Sequence, residues 1–321
     1  MAGFLEIIWR KRFIKRLIVV LLALWVLGVI FFASLPWMIA GDPVVSPAVV
    51  PTAHAVDDLE VRDGGSQIQM ERATLKVVTL NLAHGRKDAT SQFQLEASEI
   101  RQNLTDASEL LCSWQPDIVA SQEADGPSFW SGRFNHVAHL ADGLQMRYHF
   151  QAHDVDTPAL KYGTALVSNL DLRDVEALTF EPRLLTPPKG ALIARVRWPG
   201  FGPAELVGIV SVHLDFRDRG TREDQLDEFA DALERRPACA RVVMGDFNTG
   251  WDDRQPLRAF ADRLDLHTYE PDAADLVTFP GFGTRIDWIL LSYDLEFEMH
   301  EILDEVVSDH RAVAAVIRKR D

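Results

Sequence analysis

Apolar residues fall into short runs separated by polar turns. Residues 75–82 (LKVVTLNL), 117–122 (DIVASQ), 163–168, 191–196, 205–214 (ELVGIVSVHL), 241–246 (RVVMGD), 285–292 (RIDWILLS) and 312–317 are aliphatic-rich and too short for helices. Each predicts a strand, and several are apolar on both faces, as strands covered from both sides are. Residues 92–114 differ. Phe93, Ala97, Ile100, Leu104, Ala107, Leu111 and Trp114 recur at steps of three and four, which predicts one amphipathic helix, and Pro116 ends it. Thr221 and Asp224, at capping-box spacing ahead of Leu226, Phe229, Ala230 and Leu233, predict the start of another. No fixed-period repeat is present. Strands outnumber helices, so the expected class is α/β, with stacked sheets and helices outside.

The amino-terminal pattern is of another kind. Residues 17–41 hold no charge, and 17–35 hold no proline. As a helix the latter span about 28 Å, the thickness of a bilayer core. Trp37 falls at the expected interface. A cleaved signal peptide is the alternative, but its apolar region is usually only about 7–15 residues. Arg10, Lys11, Arg12, Lys15 and Arg16 precede the run and Asp42, Asp57, Asp58 and Glu60 follow it. This asymmetry leaves the amino terminus in the cytoplasm and exports the body across the cell membrane, single-pass. The expected organisation is a basic flank and transmembrane helix over residues 1–41, a Pro- and Gly-containing tether over 42–72, and one domain over 73–321.

Charge narrows the chemistry. The chain carries −15 overall, and residues 1–16 carry +4, so the remainder is −19. Such a body gains little by counterion release on a long polyanion, which disfavours nucleic acid as a partner. Two cysteines, Cys112 and Cys239, exclude a disulfide scaffold and a four-cysteine zinc site; two buried thiols are expected.

The polar residues of interest share one position, the carboxyl end of an apolar strand. Asn81, Glu123, His213 with Asp215, and Asp246 with Asn248 lie at or beside such ends, Asp287 interrupts residues 285–292, and Asp309 with His310 precedes the last strand. Strand ends of a layered α/β fold converge on a crevice. Carboxylate and amide oxygens suit Mg²⁺ or Mn²⁺ rather than zinc, and two histidines beside carboxylates suit acid–base work on a phosphoester.

The ordered set Asn81, Gln122-Glu123, His213, Gly245-Asp246-Phe247-Asn248, Asp287 and Ser308-Asp309-His310 resembles the endonuclease/exonuclease/phosphatase superfamily, the deoxyribonuclease I-like fold, and its membrane-tethered bacterial branch. The resemblance spans residues 75–317. It implies a four-layer α/β sandwich, two packed mixed sheets flanked by helices, and a Mg²⁺- or Mn²⁺-dependent phosphoester hydrolase. It implies Glu123 as principal metal ligand with Asn81 and Asp309 beside it. Asp246 would activate water, Asn248 hold a phosphate oxygen, His310 stabilise the transition state, and His213 contact the phosphate or serve in acid–base work. Asp287 would orient one of the two imidazoles. Ala83 departs from the polar residue that many nucleases of the superfamily carry there.

Four further residues are candidates for substrate binding: His84 and Arg86 after the first strand, Trp130 after Glu123, and Asp215 in HLD. For each, an ordinary loop, core or solvated role is the alternative. Residues 162–164 and 189–190 also lie beside predicted strands and could line the cleft. The expected function is membrane-anchored phosphodiester hydrolysis of a small or lipid-associated substrate. The rivals are an extracytoplasmic nuclease and a non-catalytic binding module.

Overall fold

The computed structural model describes residues 44–46, 74–183, 186–198, 201, 205–236, 238–252 and 255–320. The expected transmembrane helix and nearly all of the expected tether lie outside the described residues. Among the described residues, no helix is long and apolar enough to cross a membrane.

Two sheets face each other. In the first, strands run in the order β1 (Val44–Ser46), β4 (Tyr148–His153), β6 (Lys161–Ser168), β3 (Ile118–Asp125), β2 (Thr74–Asn81), β14 (Val313–Lys319) and β13 (Leu295–Ile302), with β5 (Val155–Asp156) also on β6. In the second, the order is β11 (Leu266–Thr268), β12 (Asp287–Ser292), β10 (Ala240–Asp246), β9 (Val207–His213), β8 (Gly190–Val196) and β7 (Arg173–Thr179). Each sheet has one parallel pair at its centre, β2 with β3 and β9 with β10, and antiparallel neighbours elsewhere. β1 lies within the expected tether and pairs with β4.

Strand alternation builds the layers. Leu75, Val77, Ile118, Ala120, Ile209, Val242, Met244, Ile289 and Leu291 point between the sheets and form one core. Their neighbours Val78, Leu80, Val119 and Val167 point outward onto α1 (Ala97–Trp114) and α2 (His136–Leu144). Val210, Val212, Val243 and Leu290 point outward onto α3 (Arg219–Glu234) and α4 (Pro256–Arg263). The result is the expected four-layer sandwich.

Several boundaries differ from expectation. Residues 92–94 form a separate 3₁₀ turn, and α1 begins after a capping box made by Glu96 and Glu99. Reciprocal bonding at Glu96 satisfies the first amides of the helix and outcompetes continuation of the apolar period. Phe93 therefore leaves the helix face and is 64 % exposed. The N-cap of α3 is Asp218, whose carboxylate accepts from the Thr221 N–H, so Thr221 lies inside the first turn. The expected pair of buried thiols is also corrected: both cysteines are free, but Cys112 is exposed, and Cys239 is half-buried.

Candidate active site

The same alternation that fills the core sets the site. On β2, residues 75, 77 and 79 face the other sheet and Asn81 is next; on β9, residues 207, 209 and 211 lead to His213; on β10, residues 240, 242 and 244 lead to Asp246. β12 opens with Asp287 in register with Asp246. β2, β9 and β10 thus end, and antiparallel β12 begins, with a polar group, and the groups from both sheets meet. Beneath them Gln122 bonds to Thr79 and to the Ser211 hydroxyl, tying the sheets together. Gly245, at φ +150°, passes so close to β9 that an added Cβ would sit 2.0 Å from the Val212 carbonyl oxygen. Only glycine fits there, which explains the first residue of GDFN.

Asp246 is the hub. Its carboxylate accepts from the Asn81 amide at 3.0 Å and the Asn248 N–H at 2.9 Å. The imidazole Nε2 atoms of His213 and His310 lie 3.4 and 3.9 Å away. Burial pushes its pKa up to about 7 against the charge of His310. The Asn248 side chain donates to the Leu214 carbonyl at 2.9 Å.

The two imidazoles differ. His310 Nδ1 meets the Asp287 carboxylate at 2.9 and 3.1 Å, which settles the partner of Asp287. Burial opposes protonation of His310, but Asp287 and Asp246 outweigh it and raise its pKa to about 10. His213 is the reverse: burial, then the neighbouring Lys189 charge, hold it well below the ordinary histidine value. Lys189 is buried and its Nζ lies 3.1 Å from His213 Nε2 and 3.7 Å from Glu123.

Glu123 stands at a bulge in β3, where the register with β6 shifts, and its own φ is +47°. It lies inside the strand rather than beyond it. Its side chain is 20 % exposed, and His84, Lys189 and His213 surround it at 3.5, 3.7 and 4.0 Å. Burial would raise its pKa; the charges of His84 and Lys189 override this and keep it far below the usual carboxylate range. These separations exceed a direct charge-assisted hydrogen bond, about 2.7–2.9 Å.

The donor set therefore fits a hard divalent cation: an ionised, reachable carboxylate with oxygens not engaged at close range, and the Asn81 side-chain oxygen, which accepts from the Ala83 N–H at 2.9 Å and keeps a second lone pair. Asp246, Asp287 and His310 also offer donor atoms within 4.8 Å of one another. Asp287 and His310 already face one another there as a buried hydrogen-bonded pair, so Glu123 is the better anchor for a metal.

His84, Arg86, Trp130, Asp215 and Asp309 take distinct places. His84 bridges Asp125 at 2.6 Å and Glu123. Asp125, which the sequence did not single out, also accepts from Trp130 Nε1 at 2.7 Å and from the Ser131 hydroxyl. Trp130 is thereby held beside His84 while it also packs on the small apolar cluster of Val155 and Tyr162. Arg86 pairs with Asp309 at 2.5 Å. Asp215 is buried rather than solvated, and one carboxylate oxygen accepts from the N–H groups of Arg217 and Asp218 at 2.8 and 2.9 Å. That oxygen closes the turn that leads into α3. Lys189 had only its place beside a strand as a signal, and Asp125 only the E-x-D spacing within β3.

Residues 78–310 match the Endonuclease/Exonuclease/phosphatase family. The chain belongs to this family. No curated protein sequence matches the chain. Among solved structures, an endonuclease/exonuclease/phosphatase from Bacteroides vulgatus is 16 % identical, with 78 % of this chain and 100 % of that chain covered at a TM-score of 0.61. The human Nocturnin catalytic domain with bound sulfate is 16 % identical, covering 78 % and 96 % at 0.57. A mannosyl-6-phosphatase of Bacteroides thetaiotaomicron is 17 % identical, covering 76 % and 99 % at 0.56. These likenesses show the deoxyribonuclease I-like fold. Members of the endonuclease/exonuclease/phosphatase family are hydrolases that act on phosphoesters and typically depend on a divalent metal.

Proposed function

We propose that this family member hydrolyses a phosphodiester, small or lipid-associated, with Mg²⁺ or Mn²⁺ bound. One observation carries the reading: Asp246, with a pKa near neutrality, lies between an imidazole held cationic and one held neutral. A carboxylate poised near neutral pH is suited to accept a proton from water. A fixed cation beside it is suited to the charge that gathers on phosphorus-bound oxygens. Water adds to phosphorus, its proton passes to Asp246, and the P–O bond to the leaving oxygen breaks; that oxygen takes a proton from solvent and departs as the alcohol, leaving a monoester. His310, oriented by Asp287, and the Asn248 amide bind the developing oxyanion. Neutral His213, with Lys189 behind it, contacts another phosphate oxygen. Glu123, with Asn81 and Asp309 nearby, would hold the metal, which when bound adds Lewis-acid charge stabilisation.

The test is turnover of bis-p-nitrophenyl phosphate by the full chain in detergent. Activity is expected only with Mg²⁺ or Mn²⁺ present. Glu123→Gln keeps the shape but removes the charge, and should raise the metal concentration for half-maximal rate by about tenfold or more, with Mn²⁺ binding by calorimetry weakened in parallel. Turnover indifferent to metal and to Glu123 refutes the assignment.

We further propose that the domain is tethered outside the cell membrane by residues 17–41. This rests on the uncharged run and its basic flank. Alkaline phosphatase fused to the carboxyl terminus should be active, and a reporter functional only in the cytoplasm silent. The opposite pattern reverses the topology.

A further inference from the structure

We propose that an aromatic strip leading from the catalytic centre to the surface is the subsite for an uncharged, apolar ester group of the substrate, and selects which phosphodiesters are cut. The inference rests on the phosphodiesterase reading and adds the substrate class.

The strip is continuous. His84 lies 3.5 Å from Glu123. Its ring is 5.1 Å from Trp130 and 5.0 Å from Tyr162, which lie 5.5 Å from each other. Phe93 continues outward, 5.9 Å from both Trp130 and Phe129. The inner rings are buried or half-buried, whereas Phe93 and Phe129 are 64 % and 50 % exposed. Isolated exposed apolar residues are ordinary, but adjoining ones that border a polar site mark a binding surface.

Three details favour a ligand over incidental exposure. The two exposed rings come from separate segments, the 3₁₀ turn before α1 and the loop after β3, and still converge. Trp130 is held by its hydrogen bond to Asp125, so the inner end of the strip is set before anything binds and loses little entropy on binding. Finally, the strip itself offers rings, and two basic residues beside it are already paired. Lys161, beside Tyr162, is paired with Asp156, and Arg86, two residues past His84, with Asp309. An aryl ring or an acyl chain suits such a surface, and the next phosphate of a polyanion does not. Phe279 and Phe282 form another pair, but Phe279 packs 4.7 Å from His310 and belongs to the catalytic groups.

The experiment compares two substrates with the same leaving group, phenyl p-nitrophenyl phosphate and methyl p-nitrophenyl phosphate, on the full chain with Mg²⁺. Wild type should prefer the phenyl ester. The double variant Phe93→Ser/Phe129→Ser should lower kcat/KM for the phenyl ester about tenfold and leave the methyl ester unchanged, the scale of a lost apolar contact. Both positions are exposed, so an unchanged melting curve is expected and separates the effect from misfolding. A dihexanoyl phospholipid, soluble and in vesicles, distinguishes acyl chain from ring: a parallel loss in the double variant assigns the strip to acyl chains, and a loss confined to the aryl ester assigns it to rings. An equal fall for both nitrophenyl esters, or no change in either, overturns the proposal. If wild type cleaves neither ester, the phosphodiesterase reading itself is wrong.

Discussion

Asp246→Asn lowers phosphodiester turnover by about 10²–10⁴-fold, the usual range for a lost acid–base group, while the melting temperature at pH 8 does not fall. The two halves of this expectation have one cause. Burial raises the Asp246 pKa to about 7, so the folded protein disfavours the ionised form that the reaction needs. A carboxyl group with a raised native pKa makes stability decline as pH climbs from its ordinary value to the raised one. Asparagine removes that burden above neutrality, although its amide meets the Asn81 amide as donor against donor and offsets part of the relief. Initial rates with bis-p-nitrophenyl phosphate and calorimetric melting at pH 5 and pH 8 test it. Wild-type turnover in the variant removes Asp246 from the chemistry; a large drop in melting temperature at pH 8 makes the residue structural.

His310→Ala is expected to cost turnover on the same scale, about 10²–10⁴-fold, through loss of a fixed cation. The more telling change is Asp287→Asn. With its pKa raised to about 10, His310 stays protonated across the neutral range, and kcat/KM should fall only as pH nears 10. Asn at 287 withdraws the nearest negative charge, 2.9 Å away. The alkaline limb should then move toward neutrality by a unit or more. Stability follows the same sign. The His310 contribution is fully present below its ordinary value near 6.5 and is lost as pH rises through about 10, and the variant should lose that dependence. A limb that stays in place means another group governs it.

The fold was legible because its strands alternate or run apolar between clear turns, and the catalytic set because its members end those runs. Asn81, His213, Asp246 and Asp287 needed only the positions of strand ends. Other features arise from tertiary geometry. Glu123 reads as a loop residue because a bulge is invisible to periodicity. Phe93 fits the period of α1, yet the Glu96–Glu99 capping box cuts the helix off behind it. Lys189 lies just before β8 and reads only as a residue that could line the cleft; its place beside His213 and Glu123 is set by tertiary geometry. α2 and α4 went unread because nine and eight residues give too few turns for a period. Asn135 at the N-cap and Pro256 at the first turn were the available signals.

The division of the site between two sheets has a kinetic consequence. Asn81 and Glu123 belong to one sheet, with His310 on the loop that leads into its strand β14, and His213, Asp246 and Asp287 belong to the other. The Asn81–Asp246 bond joins residues 165 apart in sequence, and the Ser308 hydroxyl reaches the Asn81 carbonyl across 227. Contacts of such separation form late, after their loop-closure entropy has been overcome. Secondary structure should therefore return early in refolding, while catalytic competence waits for the two sheets to dock. Enzymatic activity becomes a clock for that final assembly step, and neither sheet alone can run it.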